Sequence, residues 1–389
     1  MKTNLFAAAV LAALCTFSAS AQDAPQIKWY GFIRNYFLYD SHESNAGAED
    51  LYYYMPNDND NKGASNFTAI SSRLGLDVTG YEIDGYKVGA KIETDFYNKN
   101  GNVAVLRLRQ AYVTVAKDSR TWKIGQAWHP MAADMPDIFS LESGAPFGPF
   151  SRTPLLSFDA KLSDRYSLTA AAVWQMQYPS TGPEGATQNY IKYSGIPELY
   201  LGLNFKNGRY LSRIGIDFLS IKPLKNDAGR LSTVNYYMYD EYLGDKWNFR
   251  NKLTYASDGS HFNMVGGYGV CGNEDGSIQY SATENISDWF SVQYKAGKLR
   301  PALFIGYIKM FGTDENIVGN KYTKLSAENV NRMYRIQPEL VYNLGKLAFG
   351  LEYMLTSVQY GKPDAKLLAA ENLHWVSNHR IQMMVKYTF

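Results

Sequence analysis

The residue types that most often bind metals or catalyse reactions are scattered through this 389-residue sequence. The histidines form no H-E-x-x-H motif and no other paired spacing, and they lie in different segments, at positions 42, 129, 261, 374 and 379. Metal sites that can be recognised in a sequence depend on such spacings, because these place two ligands side by side. The sequence therefore predicts no metal site.

One glycine-rich stretch has the spacing of a nucleotide-binding motif. Gly267 to Gly272 fits the pattern G-x-G-x-x-G. The motif works only when a helix follows, because the amino end of that helix holds the pyrophosphate. The residues that follow, Asn273 to Gly276, have the composition of a loop. We therefore predict no nucleotide and no other cofactor.

Charged residues that recur at every second position carry most of the remaining chemical information. In the stretch 87–96, Lys91, Glu93 and Asp95 would point to one side of an extended chain, and Ile92 would point to the other. A strict two-residue period is typical of a β-strand with one polar and one apolar face. The length also matches a membrane-crossing strand, which needs about 9 to 11 residues.

The stretch 378–389 shows the same period and ends on an aromatic residue. One face is apolar and carries Ile381, Met383, Val385, Tyr387 and Phe389. The other face is mostly polar and carries Arg380, Gln382, Lys386 and Thr388. Tyr387 and Phe389 resemble the carboxy-terminal signal that the assembly machinery of outer-membrane barrels reads. We therefore expect that machinery and outer-membrane lipid to be partners of this chain.

The first 21 residues predict an export signal. Lys2 precedes an apolar run from Leu5 to Phe17, and small residues follow up to Ala21. This is the order of a secretory signal peptide and its cleavage site. We place the signal peptide at residues 1–21 and the start of the mature chain at Gln22. Only Cys271 remains in the mature chain, so no disulfide can form within it.

The composition of residues 22–389 and the alternation of polar and apolar residues along them indicate one membrane barrel. Aromatic residues make up 15% of the sequence, and 39 basic residues nearly balance 37 acidic ones. Such a balance gives no reason to expect a nucleic-acid partner. Segments in which polar and apolar residues alternate are joined by a short turn and a long polar loop alternately. Membrane barrels show the same pattern, because every second residue of a strand is apolar and faces the lipid. We predict a single all-β domain, a transmembrane antiparallel up-and-down β-barrel of about 16 strands in the bacterial outer membrane.

The two-residue pattern assigns more basic than acidic residues to the inward faces of these strands, so we predict a basic lumen. Thirteen basic and seven acidic residues are assigned to it, and the candidate pore-lining residues among them are Arg73, Lys91, Glu93, Asp95, Arg107, Arg109, Lys123 and Arg335. Charged rings around a water-filled pore select ions, and basic rings favour anions. The alternative is that these charges are internal ion pairs that fix the strand register.

An aperiodic stretch, 129–154, interrupts the strand pattern after the fifth strand. It contains five prolines, and it would be the third external loop of the barrel. A compact domain rarely keeps so long a segment without a function. We expect it to fold into the lumen and to form a constriction with the side chains of Asp134, Asp137, Glu142 and Arg152. Its acids would then face Arg73, Arg107, Arg109 and Lys123, and the opposed charges would create a transverse field.

Four stretches together resemble the DcaP-like trimeric porins of Gram-negative bacteria, in the form seen in Bacteroides relatives. They are Arg107 to Tyr112, Gly125 to Pro130, Gly144 to Pro154 and Tyr387 to Phe389. The resemblance covers essentially the whole mature chain. It implies a sixteen-stranded homotrimeric barrel with an inward third loop that passes small anionic solutes such as dicarboxylates.

The leading hypothesis is a passive outer-membrane channel without catalytic residues. Arg107 and Arg109 on the wall would determine its selectivity, so that replacing both with serine should move the reversal potential towards cations. One alternative is a receptor or adhesion barrel that conducts nothing. The other is an outer-membrane hydrolase, which would need a nucleophile beside a lipid-facing histidine. His379 shares a face with the lipid-side residues of the last strand, where a role at the membrane interface is the alternative.

Overall fold

The computed structural model describes residues 25–46, 53–59, 62–97, 99–100, 103–226, 229–272 and 277–389. The predicted signal peptide, residues 1–21, lies outside the described residues, and so does the predicted start of the mature chain at Gln22.

The described residues form a closed barrel of sixteen antiparallel strands, which confirms the predicted fold class. Each strand pairs with the next, and the first pairs with the last. The strands are β1 (Gln26–Asp40), β2 (Ala64–Thr68, continued by Arg73–Ile83), β3 (Tyr86–Asp95), β4 (Arg107–Lys117), β5 (Arg120–Trp128), β6 (Arg152–Lys161), β7 (Tyr166–Val173), β8 (Glu198–Asn207), β9 (Tyr210–Ile221), β10 (Leu231–Leu243), β11 (Trp247–Ser257), β12 (Ile278–Tyr294), β13 (Leu299–Thr313), β14 (Val330–Leu344), β15 (Leu347–Pro363) and β16 (Ala369–Thr388).

The two-residue period of the sequence sets which side chains face outwards. In β16, Ile381, Met383 and Val385 are 43–49% exposed on the outer face, whereas Arg380 and Gln382 are fully buried inside. Alternation puts successive side chains on opposite faces of a strand, so a polar lumen and an apolar outer face follow from the same residues. The predicted facing of the last strand is therefore confirmed.

The seam between β1 and β16 closes the barrel and is fixed by a buried ion pair. Asp40 on β1 lies opposite Arg380 on β16 in the strand register. Nε of Arg380 donates to Oδ1 of Asp40 at 2.9 Å, and a terminal nitrogen donates to Oδ2 at 2.7 Å. This two-point contact favours one register, because a shift by one residue would move Arg380 to the lipid face.

Short turns join the strands at one end of the barrel. Asp84 and Gly85 both have positive φ, 50° and 76°, between β2 and β3. These two consecutive left-handed residues form the hairpin turn that an Asp-Gly pair favours. Because this end carries the tight turns, the opposite end carries the long loops and the inward loop.

The long loops contain short elements of their own. These are the strands Ser44–Ala46, Tyr53–Pro56, Lys99–Asn100, Val103–Ala104, Gly266–Gly272 and Lys321–Lys324, the helix Asn189–Ser194, and the 3-10 helices Pro130–Ala132, Ser260–Phe262 and Ala327–Asn329. The glycine-rich motif thus lies in a strand, which pairs with β12 and with Lys321–Lys324.

The hydrophobic core of the protein lies inside the barrel. Phe147 and Phe150 of the inward loop are buried there against Phe262, Phe304 and other apolar side chains. The ring of Phe147 also occupies the space that a side chain at position 306 would need, because a Cβ on Gly306 would lie 2.6 Å from that ring. The loop is therefore packed against the strands as a part of the core.

Candidate pore and its inward loop

The loop between β5 and β6 folds into the barrel, as the sequence analysis predicted. Its backbone carbonyls at Met131 and Asp134 accept hydrogen bonds from Nζ of Lys252 on β11, at 2.8 Å for Met131. Further along the loop, the backbone nitrogen of Phe139 donates to Oε2 of Glu339 on β14 at 2.8 Å. These contacts hold the loop across the lumen.

Three acidic side chains of this loop form ion pairs with the wall, which we call the anchor pairs. Asp134 pairs with Arg213 on β9, Asp137 pairs with Arg250 on β11, and Glu142 pairs with Arg335 on β14, the last at 3.6 Å. The predicted opposition to Arg73, Arg107, Arg109 and Lys123 is therefore wrong for Asp134 and Glu142. Asp137 does line one cavity with Arg73, Arg107 and Arg109, but its ion-pair partner is Arg250. The loop extends across the lumen, and its acidic side chains therefore neutralise the positive charges of arginines on the opposite wall.

Arg335 was predicted to line the pore and Glu142 to constrict it, and both predictions are wrong. Both side chains are fully buried. The guanidinium of Arg335 also donates to Oγ1 of Thr356 at 2.9 Å and to the backbone oxygens of Ala145 and Tyr54 at 3.1 and 2.8 Å. Burial raises the pKa of the Glu142 carboxyl, and Arg335 and Arg380 lower it only in part. The Glu142–Arg335 pair therefore anchors the loop inside the core.

The arginines on the near wall have acidic partners on the neighbouring strand. Arg107 makes two contacts with Asp95, at 2.9 and 2.8 Å. Arg109 contacts Glu93 at 2.7 Å and Asp95 at 2.6 Å, and Arg73 lies 3.7 Å from Glu93. Three guanidinium groups thus share two carboxylates. The alternative interpretation as internal ion pairs holds for these five residues, and one positive charge remains uncompensated.

A cavity of about 550 Å³, which we call the basic cavity, lies between the inward loop and the strands. Among the described residues, its lining contains seven bases, Arg34, Arg73, Arg107, Arg109, Arg152, Arg300 and Lys386, and three acids, Asp95, Asp137 and Glu339. All three acids accept hydrogen bonds from other groups. In the described part of the chain, no carboxylate forms a salt bridge with Arg34, Arg152, Arg300 or Lys386.

Four of the eight predicted pore residues do not line the basic cavity: Lys91, Lys123, and also Glu93 and Arg335. Lys123 lines a second cavity of about 480 Å³ together with Lys206 and Arg213, where Asp159 is the only acid among the described lining residues. Lys91 pairs with Asp77 on β2 at 2.9 Å and is therefore compensated.

Arg152 belongs to β6 and not to the loop, which corrects its assignment to the constriction loop. It is only 2% exposed, and its guanidinium carbon lies 4.6 Å from the ring centre of Trp128 and 5.8 Å from that of Phe150. Stacking on aromatic faces fixes the direction of a guanidinium without neutralising its charge. Arg152 therefore contributes a fixed positive charge to the cavity wall.

Sequence reasoning missed Arg34 and Arg300 as residues of the basic cavity. Arg34 lies on β1 between the inward rings of Phe32 and Tyr36, 4.7 and 5.1 Å from their centres, and donates to Oγ of Ser71. Aromatic residues on both faces of β1 obscure its two-residue period. The signal that could have revealed Arg34 is its even spacing with the inward Asp40.

The carboxy-terminal residues lie as the alternation predicted. Tyr387 and Phe389 are 44% and 46% exposed on the outer face. The backbone nitrogen of Phe389 donates to the carbonyl of Gly31 at 3.1 Å, so the last residue is paired to β1. His379 lies on the same outer face, and its Nδ1 is 2.7 Å from the hydroxyl of Tyr353, which is not the Ser-type nucleophile that the hydrolase alternative requires.

Two histidines that are far apart in the sequence meet inside the protein. His129 at the start of the inward loop and His261 in the loop after β11 both approach Glu198 on β8 and Asp217 on β9. The sequence spacing carries no sign of this cluster, because each of the four residues comes from a different segment. The absence of a paired spacing in the sequence therefore did not keep these two histidines apart in the structure.

Among the residues that the structure describes, none of the helices has the length and apolar character that a membrane-crossing helix requires.

Comparison with known proteins identifies the family. The chain matches the family model of the Gram-negative porins over residues 7–388. Its structure is similar to the outer membrane channel DcaP of Acinetobacter baumannii, with a TM-score of 0.72 and 20% identity, over 96% of this chain and 99% of that chain. It is also similar to the anion-selective porin from Comamonas acidovorans, with a TM-score of 0.58 and 11% identity, over 94% and 100%.

A third similar structure is the trimer form of OmpT from Vibrio cholerae, with a TM-score of 0.56 and 12% identity, over 94% of this chain and 100% of that chain. No curated protein matches the sequence. The family match spans nearly the whole chain and agrees with the closed barrel and its inward loop, which confirms the resemblance to DcaP-like porins of Gram-negative bacteria. The Bacteroides form of that resemblance stays a prediction. This chain therefore belongs to the Gram-negative porins, and it is a channel of the outer membrane and not an enzyme.

Proposed function

We propose that this porin is a passive diffusion channel that favours small anionic solutes such as dicarboxylates. The observation that carries the proposal is the basic cavity, in which seven bases face three acids and the acids already accept hydrogen bonds from other groups. Solutes that pass the inward loop therefore meet a net positive wall.

The physical basis of the preference is focusing of the electric field. A narrow aqueous passage between low-dielectric walls concentrates field lines, so uncompensated wall charges raise the local concentration of ions of opposite sign. Arginine adds geometry, because its planar fork matches the two oxygens of a carboxylate. A wall that carries several uncompensated arginines thus suits a solute with two carboxylates better than a solute with one.

Single-channel recordings test this proposal. In a salt gradient across a planar bilayer, we expect the reversal potential of the wild-type channel to show anion preference. A four-carbon dicarboxylate should reduce the chloride current more than a monocarboxylate of the same chain length. A diamine of similar length serves as the control and should have no such effect. Cation preference, or equal effects of the three solutes, would contradict the proposal.

We also propose that the chain assembles as a homotrimer. The family resemblance implies this state, and the similar OmpT structure from Vibrio cholerae is described as a trimer form. The mass of the detergent-solubilised protein, measured by light scattering with the detergent contribution subtracted, should be three times the mass of one chain. A mass equal to one chain at concentrations where the protein remains folded would contradict this assembly.

The termini are proposed to direct export and insertion. Residues 1–21 would be removed, so amino-terminal sequencing of the mature protein should begin at Gln22. Deletion of Phe389 should lower the amount of protein in the outer membrane, while the molecules that do insert should keep the wild-type conductance. Phe349→Ala is a matched control, because Phe349 is equally exposed on the outer face of β15 but does not end the chain. Equal loss of insertion in both variants would argue against a terminal signal.

A further inference from the structure

Four ionisable side chains from four separate segments converge inside the protein at the base of the inward loop. His129 is the first residue of that loop, Glu198 and Asp217 lie on β8 and β9, and His261 lies in the 3-10 helix Ser260–Phe262. All four are at most 2% exposed. Nε2 of His129 lies 3.0 Å from Oε1 of Glu198 and 3.6 Å from Oδ1 of Asp217. Nε2 of His261 lies 3.8 Å from Glu198 and 4.0 Å from Asp217.

The facing atoms of this cluster lie 3.0 to 4.0 Å apart but are not well aligned for hydrogen bonds, in spite of their burial. They are Nε2 of His129, Oε1 of Glu198, Oδ1 of Asp217 and both ring nitrogens of His261. Buried polar atoms are almost always hydrogen-bonded, because leaving them unpaired forfeits their hydration. Two fully buried carboxylates need compensating positive charge, which protons on the two imidazoles or a bound cation can supply. The question at this cluster is therefore which of the two is present.

We propose that this cluster binds one divalent transition-metal ion of the zinc class. Imidazole nitrogens and carboxylate oxygens are the donors that such ions prefer. Bonds of about 2.0–2.2 Å around a tetrahedral ion place the ligand atoms roughly 3.3–3.6 Å apart. The ligand atoms of His129, Glu198 and Asp217 all lie within 4.8 Å of one another, and Nε2 of His129 is 3.0 and 3.6 Å from the two carboxylates. His261 lies farther away, 3.8 Å from Glu198 and 4.0 Å from the other oxygen of Asp217, and would complete the set after a small shift of its ring. An ion at the centre would thus satisfy the unpaired atoms and neutralise both carboxylates.

The surroundings of the cluster orient its ligands. Nδ2 of Asn235 donates to Oδ2 of Asp217 at 3.1 Å, and the backbone nitrogen of Ser257 holds the Asn235 side chain at 2.9 Å. Hydrogen bonds of this kind behind a ligand are usual at metal sites. Metal binding would break one hydrogen bond of His129, in which its Nδ1 accepts from the backbone nitrogen of Met131 at 3.2 Å. Metal binding through Nε2 places a proton on Nδ1 and gives up this one bond, a small loss beside the free energy of a structural metal site.

The position of the site gives the ion a mechanical role. His129 directly precedes the 3-10 helix Pro130–Ala132, from which the loop continues into the lumen. An ion held by His129, Glu198 and Asp217 would join the start of the inward loop to β8 and β9, and a shift of His261 towards it would add the loop after β11. The ion would thus fix the part of the chain that bounds the pore.

Cobalt binding to the full-length, membrane-purified protein tests the site directly. After treatment with a chelator, the wild-type protein should take up one Co²⁺ per chain and show the visible absorption bands of a four-coordinate ion, which added Zn²⁺ should abolish. His261→Ala should weaken Co²⁺ binding at least tenfold. This change removes no hydrogen bond, because neither ring nitrogen of His261 forms one. Asp217→Asn should have an effect of the same direction.

The matched control is His374→Ala, because His374 also contacts a carboxylate, Asp58 at 2.7 Å, but does so on the exposed surface. This variant should bind Co²⁺ as the wild type does. Heat-dependent migration on gels shows that each variant is folded. The proposal is overturned if the folded wild-type protein binds no Co²⁺, which would mean that protons alone neutralise the cluster, or if His261→Ala binds it with unchanged affinity. Both readouts are independent of ion selectivity.

Discussion

The two sides of the inward loop use the same residue types for different purposes. On one side, the anchor pairs join Asp134, Asp137 and Glu142 to arginines of the wall, so that the charges cancel. On the other side, Arg34, Arg152, Arg300 and Lys386 line the basic cavity without salt bridges in the described part of the chain. Paired charges position the loop, and uncompensated charges create the field that a solute meets. An arginine in a lumen is therefore a candidate for selectivity only after its partners are known.

The largest expected effect is on the most buried anchor pair. Arg335→Met leaves the Glu142 carboxylate without its ion-pair partner in the core, which we expect to cost about 3–5 kcal/mol of folding free energy. The temperature at which the barrel loses its compact migration on gels should fall accordingly.

The double variant Arg335→Met with Glu142→Gln is the control for this change. Because it removes both charges, it should recover much of the loss. If Arg335→Met unfolds at the wild-type temperature, the pair does not anchor the loop.

A smaller effect is expected at an anchor pair that is partly exposed. Asp137→Asn removes the charge that faces Arg250, and both side chains are 19% exposed. A hydrogen bond between charged groups contributes about 1.5–3 kcal/mol, so the loop should stay inside but fluctuate more. Open-channel current noise should therefore increase.

Asp245→Asn is suited as the control for current noise, because Asp245 pairs with Arg209 but is 81% exposed in a turn. Its noise should equal that of the wild type. Identical noise in the Asp137 variant would show that this pair does not restrain the loop.

Removing uncompensated charges should change selectivity more than stability. Arg34→Gln and Lys386→Gln each delete one positive charge from the basic cavity. A unit charge about 4 Å from an ion in water contributes about 1 kcal/mol, so each change should lower the anion permeability by up to about fivefold and shift the anion-to-cation permeability ratio towards cations. Reversal potentials in a salt gradient measure this ratio. Arg209→Gln, in a turn outside the pore, should leave it unchanged.

The smallest effect is expected when a near-wall ion pair is removed as a whole. The double variant Arg107→Gln with Asp95→Asn deletes one charge of each sign, so the net charge of the cavity stays the same. The permeability ratio should change less than about twofold, since opposite charges at contact distance largely cancel at the distance of a passing ion. A shift as large as that of Arg34→Gln would mean that paired and unpaired arginines do not differ in function.

Strand facing was predictable wherever one face of a strand was consistently apolar. In β3 and β16 the sequence identified Glu93, Asp95 and Arg380 as inward residues, and the structure places them inside. In β1 the pattern failed, because aromatic residues occupy both faces and conceal Arg34. An aromatic ring suits both the lipid interface and a packed lumen, so its position in the sequence does not reveal its direction.

The partners of the loop acids were not predictable. Asp134 and Arg213 are 79 residues apart, and Asp137 and Arg250 are 113 apart. The sequence indicated that a long proline-rich loop carries three acids and that the lumen is basic. It could not indicate which of thirteen inward bases the acids would reach, because that depends on how far the loop extends before its apolar residues pack.

The sequence by itself determined the barrel, the side chains that face its lumen and the basic character of that lumen. The reason is that the two-residue period of a strand is a local property, which each residue and its neighbours specify. Only the tertiary structure decided which charges cancel, which remain exposed to solutes, and that His129 and His261 share two carboxylates. These pairings join segments that are far apart in the chain. They are fixed by the closure of the barrel and by the packing of one loop inside it.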